Sequence, residues 1–187
     1  NKFDEAIDDY NKAIQITPDP AYYYAAGTAY QGKNDLDKAL ENYRIAQSKN
    51  PKEPAYQAAI KAVNQAKAAP LVNSAIDKQT TKNDPAGAVV DYQAALKIDD
   101  DAGTRMNYGT ALQQLNKVQE AVNEYKRAIQ MDPKVTVDAH YYLGTAYEQL
   151  KKPLDALHEY KDYLRLAPTG QNAKDCKDRI KVLEPHR

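Results

Sequence analysis

The sequence predicts an all-α protein built as a series of helix pairs. The phrase Ala-x-x-x-Tyr recurs at Ala6/Tyr10, Ala39/Tyr43, Ala88/Tyr92, Ala121/Tyr125 and Ala156/Tyr160. A second phrase, Gly-x-x-Tyr or a near variant, precedes three of them, at Gly27/Tyr30, Gly109/Leu112 and Gly144/Tyr147. Proline stands twelve residues after the alanine at Pro18, Pro51, Pro133 and Pro168. Self-similarity with a period in the mid-thirties marks an array, in which each unit packs on its neighbours and the core is a strip. Such an array offers a surface rather than a catalytic pocket.

Each element follows from its own residues. Asn1 to Pro18 supplies only the second helix of a pair. From Ala21 to Gln31, Tyr23, Ala26, Gly27 and Tyr30 recur three and four apart and share one helical stripe. Gly32 to Asp35 form a turn, and Leu36, Ala39, Leu40, Tyr43 and Ala46 define the apolar face of the next helix. Asn50-Pro51 ends that helix, because proline cannot continue it and biases the residue before it. Gly27 and Ala39 let the two helices approach, and Tyr43 fills the space beyond.

Lys52 to Ala69 is an alanine-rich helix carrying Tyr56, Ile60 and Val63, and Pro70 interrupts it. Two courses are open there. A lone helix can cap the N-terminal units before a second stack begins, with a bend or partial break in the superhelix near Ala68 to Pro70 and Pro70 as the first residue of a new helix; this is the favoured reading. Alternatively, Pro54 to Gln79 is one long helix kinked at Pro70. Leu71 to Thr81 then forms a degenerate first helix, with Ile76 at the glycine position, paired with Ala88, Tyr92 and Ala95. Asp100 stands there in place of proline, and Asp101 is expected to cap the following helix. Two regular pairs follow. The tail from Gln171 to Leu183 places Ala173, Cys176, Ile180 and Leu183 on one side, as a closing helix that Tyr163 is expected to meet. The expected organisation is residues 1–68, 69–168 and 169–187.

The pattern resembles the tetratricopeptide repeat family, whose motif is W-x₂-L-G-x₂-Y, then A-x₃-F, then P. The best match is His140-x₂-Leu143-Gly144-x₂-Tyr147, then Ala156-x₃-Tyr160, then Pro168. Next come Tyr23, Ala26, Gly27, Tyr30, Ala39, Tyr43 and Pro51, and then Arg105, Tyr108, Gly109, Leu112, Ala121, Tyr125 and Pro133. Tyrosine takes the aromatic positions, consistent with 15 Tyr beside one Phe and no Trp. The resemblance implies a right-handed α-solenoid of helix-turn-helix units with a C-terminal capping helix.

It also implies a site. First helices of such units line a concave groove. The aligned rows are Tyr24, Asn73, Met106 and Tyr141; then Thr28, Asp77, Thr110 and Thr145; then Gln31, Thr80, Gln113 and Glu148, with Asn107 and Tyr142 flanking the first row. Large aromatic residues are favoured anchors, while Thr, Asn and Gln can hydrogen-bond an extended peptide. One subset of the family grips acidic carboxyl ends of chaperones through Lys, Arg and Asn. The matching positions here, Tyr24, Thr28, Asn73, Asp77, Met106, Asn107, Asp138 and Tyr142, include no Lys or Arg. A carboxylate needs charge-assisted donors, so that activity is not expected.

Composition narrows the function. Lys+Arg and Asp+Glu each total 26, giving zero net charge over 187 residues. No basic block exists to replace the counterions of nucleic acid, and no apolar run reaches membrane-spanning length. The single cysteine, Cys176, rules out an intrachain disulfide and reads as a packing residue. No His-x-x-x-His, Cys-x-x-Cys or phosphate-cradling glycine motif occurs, so neither metal, cofactor nor catalysis is expected.

The expected function is a non-enzymatic scaffold or adaptor that holds a partner protein or peptide in its groove. Two alternatives stand beside it. Phe3, Ile7, Tyr10 and Ile14 can form an exposed N-terminal face that assembles copies of the chain. The mid-repeat start also fits an accessory module of a larger enzyme or of a secretion or assembly machine.

Overall fold

The computed structural model describes residues 2–184; His186 lies outside them. The described residues form ten α-helices and no strand. The chain divides into two compact units, Asn1–Ala69 and Pro70–Arg187.

The first unit contains α1 (Lys2–Ile16), α2 (Pro20–Gly32), α3 (Leu36–Lys49) and the first half of α4 (Pro54–Thr80). Asp19 caps α2 by accepting from the Ala21 N–H, and Pro20 begins the helix, where its missing N–H costs nothing. Gly27 lies against the Tyr43 ring; a Cβ there would come within 2.7 Å of it. Ala39, Leu40, Tyr43 and Val63 form the buried core, with Tyr24, Tyr30 and Ile60 packed around them. Ile7 is buried, whereas Tyr10 and Ile14 are half-buried and Phe3 stays 43% exposed. Ile7 is therefore no part of an open N-terminal face.

The second unit begins with the second half of α4. It continues through α5 (Pro85–Ile98), α6 (Ala102–Gln114), α7 (Val118–Met131), α8 (Val137–Gln149), α9 (Pro153–Leu166) and α10 (Ala173–Leu183). Consecutive helices from α5 to α10 pack on one another. One continuous core runs from Ala75 through Tyr92, Leu112, Tyr125, Leu143 and Tyr160 to Cys176. Asp101 caps α6 by accepting from the Thr104 N–H at 3.0 Å. Tyr163 is buried, and its hydroxyl accepts from the Asn172 N–H at 3.0 Å, so it meets the closing helix. Burial pushes the Cys176 thiol up to about 11, the behaviour of an inert core cysteine.

Two expectations are corrected. The separate helix favoured before Pro70 is absent: α4 runs from Pro54 to Thr80 with Pro70 inside it, although the two units divide at Ala69 and Pro70. Proline deprives the carbonyl four residues back of its partner. Here that residue is Ala66, exposed like Ala69 and Pro70, so water can take the bond. The alanine-rich sequence before it favours helix strongly.

The second correction is one of register. Ala75, fully buried, takes the place of Gly109, and Ile76 is 38% exposed. The turn after α4 spans Thr81 to Asp84, one residue longer than the three-residue turns after α2, α6 and α8. Positions on α4 therefore shift by one against those on α6. Asn73 matches Asn107 rather than Met106, Asp77 matches Ala111 rather than Thr110, and Gln79 rather than Thr80 matches Gln113.

Each of these turns holds one residue in the left-handed region: Asn34 (φ 62°), Asn83 (φ 51°), Asn116 (φ 60°) and Lys151 (φ 56°). Asparagine tolerates that conformation at lower cost than lysine. Lys151→Asn is expected to stabilise the protein by about 0.5–1 kcal/mol. Calorimetry should show a melting temperature roughly 1–4 °C higher.

Candidate concave site on the second unit

The first helices α6 and α8 lie side by side, and a hollow of about 340 Å³ opens between them. Thr110, Gln113 and Gln114 line it from α6; Tyr141, Tyr142, Thr145 and Gln149 line it from α8. None of these side chains carries a charge at neutral pH. Burial, followed by its hydrogen bond to Asp175, pushes the Tyr141 phenol up to about 12.

The lining is held by an amide ladder. Tyr125 donates its hydroxyl to Gln113 Oε1 at 2.9 Å. The Gln113 amide then donates to Thr145 Oγ1 and to Gln149 Oε1, both at 3.1 Å. One repeat earlier, Tyr92 donates to Gln79 Oε1 at 3.0 Å and Gln79 donates to Thr110 Oγ1 at 2.8 Å. The hydroxyls of Thr110 and Thr145 donate in turn to the Asn107 and Tyr142 carbonyls. In the last repeat Glu148 replaces glutamine and pairs with Arg179 of α10 at 2.9 Å.

Aromatic packing fixes the two tyrosines. Tyr142 stacks on Tyr125 with centroids 5.9 Å apart, and Tyr141 meets Tyr142 edge-on at 5.4 Å. The Tyr141 hydroxyl donates to Asp175 Oδ2 at 2.9 Å. Both rings are half-buried, so each offers one edge to the hollow while its body rests on the core.

The residues named from sequence thus fall into several places. Thr110, Gln113, Tyr141, Tyr142 and Thr145 share the hollow. Glu148 faces a neighbouring recess with Asp175 and Arg179. Met106 packs against the core, and Asn107 is half-buried beside it in sequence. Asn73 is exposed, while Asp77 pairs with Lys82 at 2.7 Å, which lowers its carboxyl pKa.

The remaining three belong to the first unit. Tyr24 and Thr28 line an apolar hollow of about 370 Å³ with Phe3, Ala6 and Tyr10. Gln31 accepts from the Tyr43 hydroxyl at 2.8 Å. Sequence reasoning missed Gln79, Gln114 and Gln149. The twelve-residue spacing from Gln31 to Tyr43 and from Gln113 to Tyr125 was the signal that could have found Gln79, had the extra turn residue been counted.

Helix pairs with a glycine-on-tyrosine contact, repeated at Gly27, Gly109 and Gly144, point to one repeat type, and sequence profiles of that repeat match. One described as TPR repeat matches residues 109–151, and one described as tetratricopeptide repeat matches residues 1–20 and 20–52. The chain belongs to the tetratricopeptide repeat (TPR) family.

Solved TPR structures resemble it. The Arabidopsis OM64 TPR domain is 25% identical, covering 64% of this chain and 98% of its own, with a TM-score of 0.59. The MamA protein is 19% identical over 88% of this chain and 80% of its own, with a TM-score of 0.57. The second TPR domain of human RPAP3, solved in complex with the HSP70 peptide SGPTIEEVD, is 20% identical over 64% of this chain and 99% of its own, with a TM-score of 0.54. No curated protein sequence matches the chain. Among the described residues, no helix is long and apolar enough to cross a membrane.

Proposed function

We propose that this TPR chain is a non-enzymatic adaptor that holds an extended, uncharged segment of a partner protein against α6 and α8. The observation that carries the reading is the hollow itself. Two tyrosine edges stand over a floor of hydroxyl and amide groups already oriented by the ladder. Rigid aromatic groups give contact area at low entropic cost. Gln114 stands outside the ladder and is exposed at the rim, where it can meet peptide backbone. The human RPAP3 domain shows that the fold can carry a peptide; it does not transfer the ligand. An acidic carboxyl-terminal peptide would find no charge-assisted donor in this lining.

The test is a fluorescence titration against an array of extended peptides, run on the unaltered chain and on Gln114→Arg. That substitution places a bulky cation in the hollow without touching the core. Uncharged peptides rich in apolar residues should bind the unaltered chain and lose at least about tenfold in affinity, roughly 1.4 kcal/mol, in the variant. Equal binding by both proteins would displace the site. Tight binding of a peptide ending in EEVD would overturn the stated preference.

A further inference from the structure

The corner between the first turn of α8 and the middle of α9 differs in charge from the same corner one repeat earlier. Between α6 and α7, Arg105 reaches Glu124 at 2.5 Å, and Arg127 lies 3.8 Å from the same carboxylate. Thirty-five residues on, His140 stands for Arg105, Glu159 for Glu124 and Asp162 for Arg127. Two guanidinium groups facing the carboxylates of Glu124 and Asp100 have become one imidazole beside the carboxylates of Glu159 and Asp162.

His140 Nδ1 lies 2.7 Å from Glu159 Oε2, and an Asp162 oxygen completes a set of three ligand atoms all within 4.8 Å of one another. These side chains are only 11%, 14% and 23% exposed. His158, one turn before Asp162 on the solvent side, places Nε2 3.3 Å from Asp162 Oδ2. Arg165 holds the other oxygen, Oδ1, at 2.8 Å, so Asp162 is oriented with Oδ2 toward the histidine side. Lys126 lies nearby over the Tyr147 ring.

We propose that His140, Glu159 and Asp162 form a three-residue binding site for a divalent transition-metal ion of the zinc class, with His158 outside the set against Asp162. Metal bonds of about 2.0–2.2 Å to nitrogen and oxygen separate neighbouring tetrahedral ligands by roughly 3.3–3.6 Å. The three ligand atoms already lie within 4.8 Å of one another, so side-chain rotation can bring them onto one ion, with water in the fourth position. Imidazole beside carboxylate favours zinc and its neighbours over magnesium or calcium, which take oxygen ligands alone. A dication supplies the positive charge that arginine supplies one repeat earlier. Arg165 then acts behind the ligands, fixing Asp162. The sequence reading expected no metal because it sought ligand spacings along one helix, and this set comes from two.

Zinc titration of the chelator-treated chain by calorimetry tests the site, with melting curves in Zn²⁺, Mg²⁺ and Ca²⁺. One Zn²⁺ should bind per chain and raise the melting temperature, while Mg²⁺ and Ca²⁺ leave it unchanged. His140→Arg copies the Arg105 arrangement and keeps a cation on Glu159, so the fold should persist while zinc binding is lost. Asp162→Asn, at a partly exposed position, should weaken binding by about tenfold or more. Failure of the unaltered chain to bind Zn²⁺, or binding indifferent to both substitutions, overturns the proposal.

Discussion

Tyr125→Ala is expected to remove about 3–5 kcal/mol of stability, the cost of deleting a large buried aromatic side chain. Three contacts fail together. Tyr125 is fully buried, and its ring fills the space left by Gly109, where a Cβ would come within 2.6 Å. Its other face supports Tyr142 at 5.9 Å. Its hydroxyl is the donor to Gln113 at 2.9 Å. Alanine leaves a cavity between α6 and α7 that neighbouring helices cannot close without losing their own contacts. Tyr125→Phe keeps the ring and loses one hydrogen bond, about 0.5–1.5 kcal/mol. Urea unfolding followed by circular dichroism separates the two outcomes. A loss below about 1.5 kcal/mol for Tyr125→Ala would show that the Gly109–Tyr125 contact is not a keystone. The alanine variant should also loosen Tyr142 and weaken partner binding, whereas Tyr125→Phe leaves the ring support in place.

Arg105→Ala carries the second large effect, about 3 kcal/mol. The guanidinium is 8% exposed and binds Asp100 through Nε at 2.5 Å and Nη2 at 2.7 Å, and Glu124 through Nη1 at 2.5 Å. This bidentate fork occupies the position where the family motif has tryptophan. Hydrogen bonding to Asp100, followed by that to Glu124, outweighs burial and raises the Arg105 pKa, so the residue stays charged throughout the accessible pH range. Alanine removes the cation and leaves Glu124, whose side chain is 15% exposed, with only the more distant Arg127 at 3.8 Å. Asp100, at 47% exposure, recovers its hydration, which places the estimate at the low end for broken buried pairs. Replacing Arg105 by Met and Glu124 by Leu together should recover most of the loss, because paired buried charges often contribute little beyond what apolar packing supplies. A single substitution as damaging as the double would contradict this account, and chemical denaturation of the three proteins decides it.

How far the fold was legible depended on what each residue does. Gly27, Gly109 and Gly144 face Tyr43, Tyr125 and Tyr160 across each helix pair; that steric demand leaves a fixed spacing in the sequence, so the pairs could be read directly. Pro70 was misread because a local rule for proline met a stretch of exposed alanines that could tolerate it. The register of α4 was misread because one additional turn residue moves every side chain by about 100° around a helix, and both Ala75 and Ile76 are plausible packing residues from sequence. Part of the site was visible as a periodic row. Gln114 and Gln149 were missed because they close their helices, outside the rows carried over from the motif. The His140 cluster was hidden because its chemistry arises only when two helices meet.

The amide ladder has a direction. Every link passes a proton donor forward, from tyrosine to its own glutamine and from that glutamine to the next threonine. Glu148 has no proton to pass on and instead receives one from Arg179. The chain therefore writes its own full stop: further copies of the repeat could be spliced in ahead of Glu148 with the grammar intact, but not after it unless that glutamate were returned to glutamine.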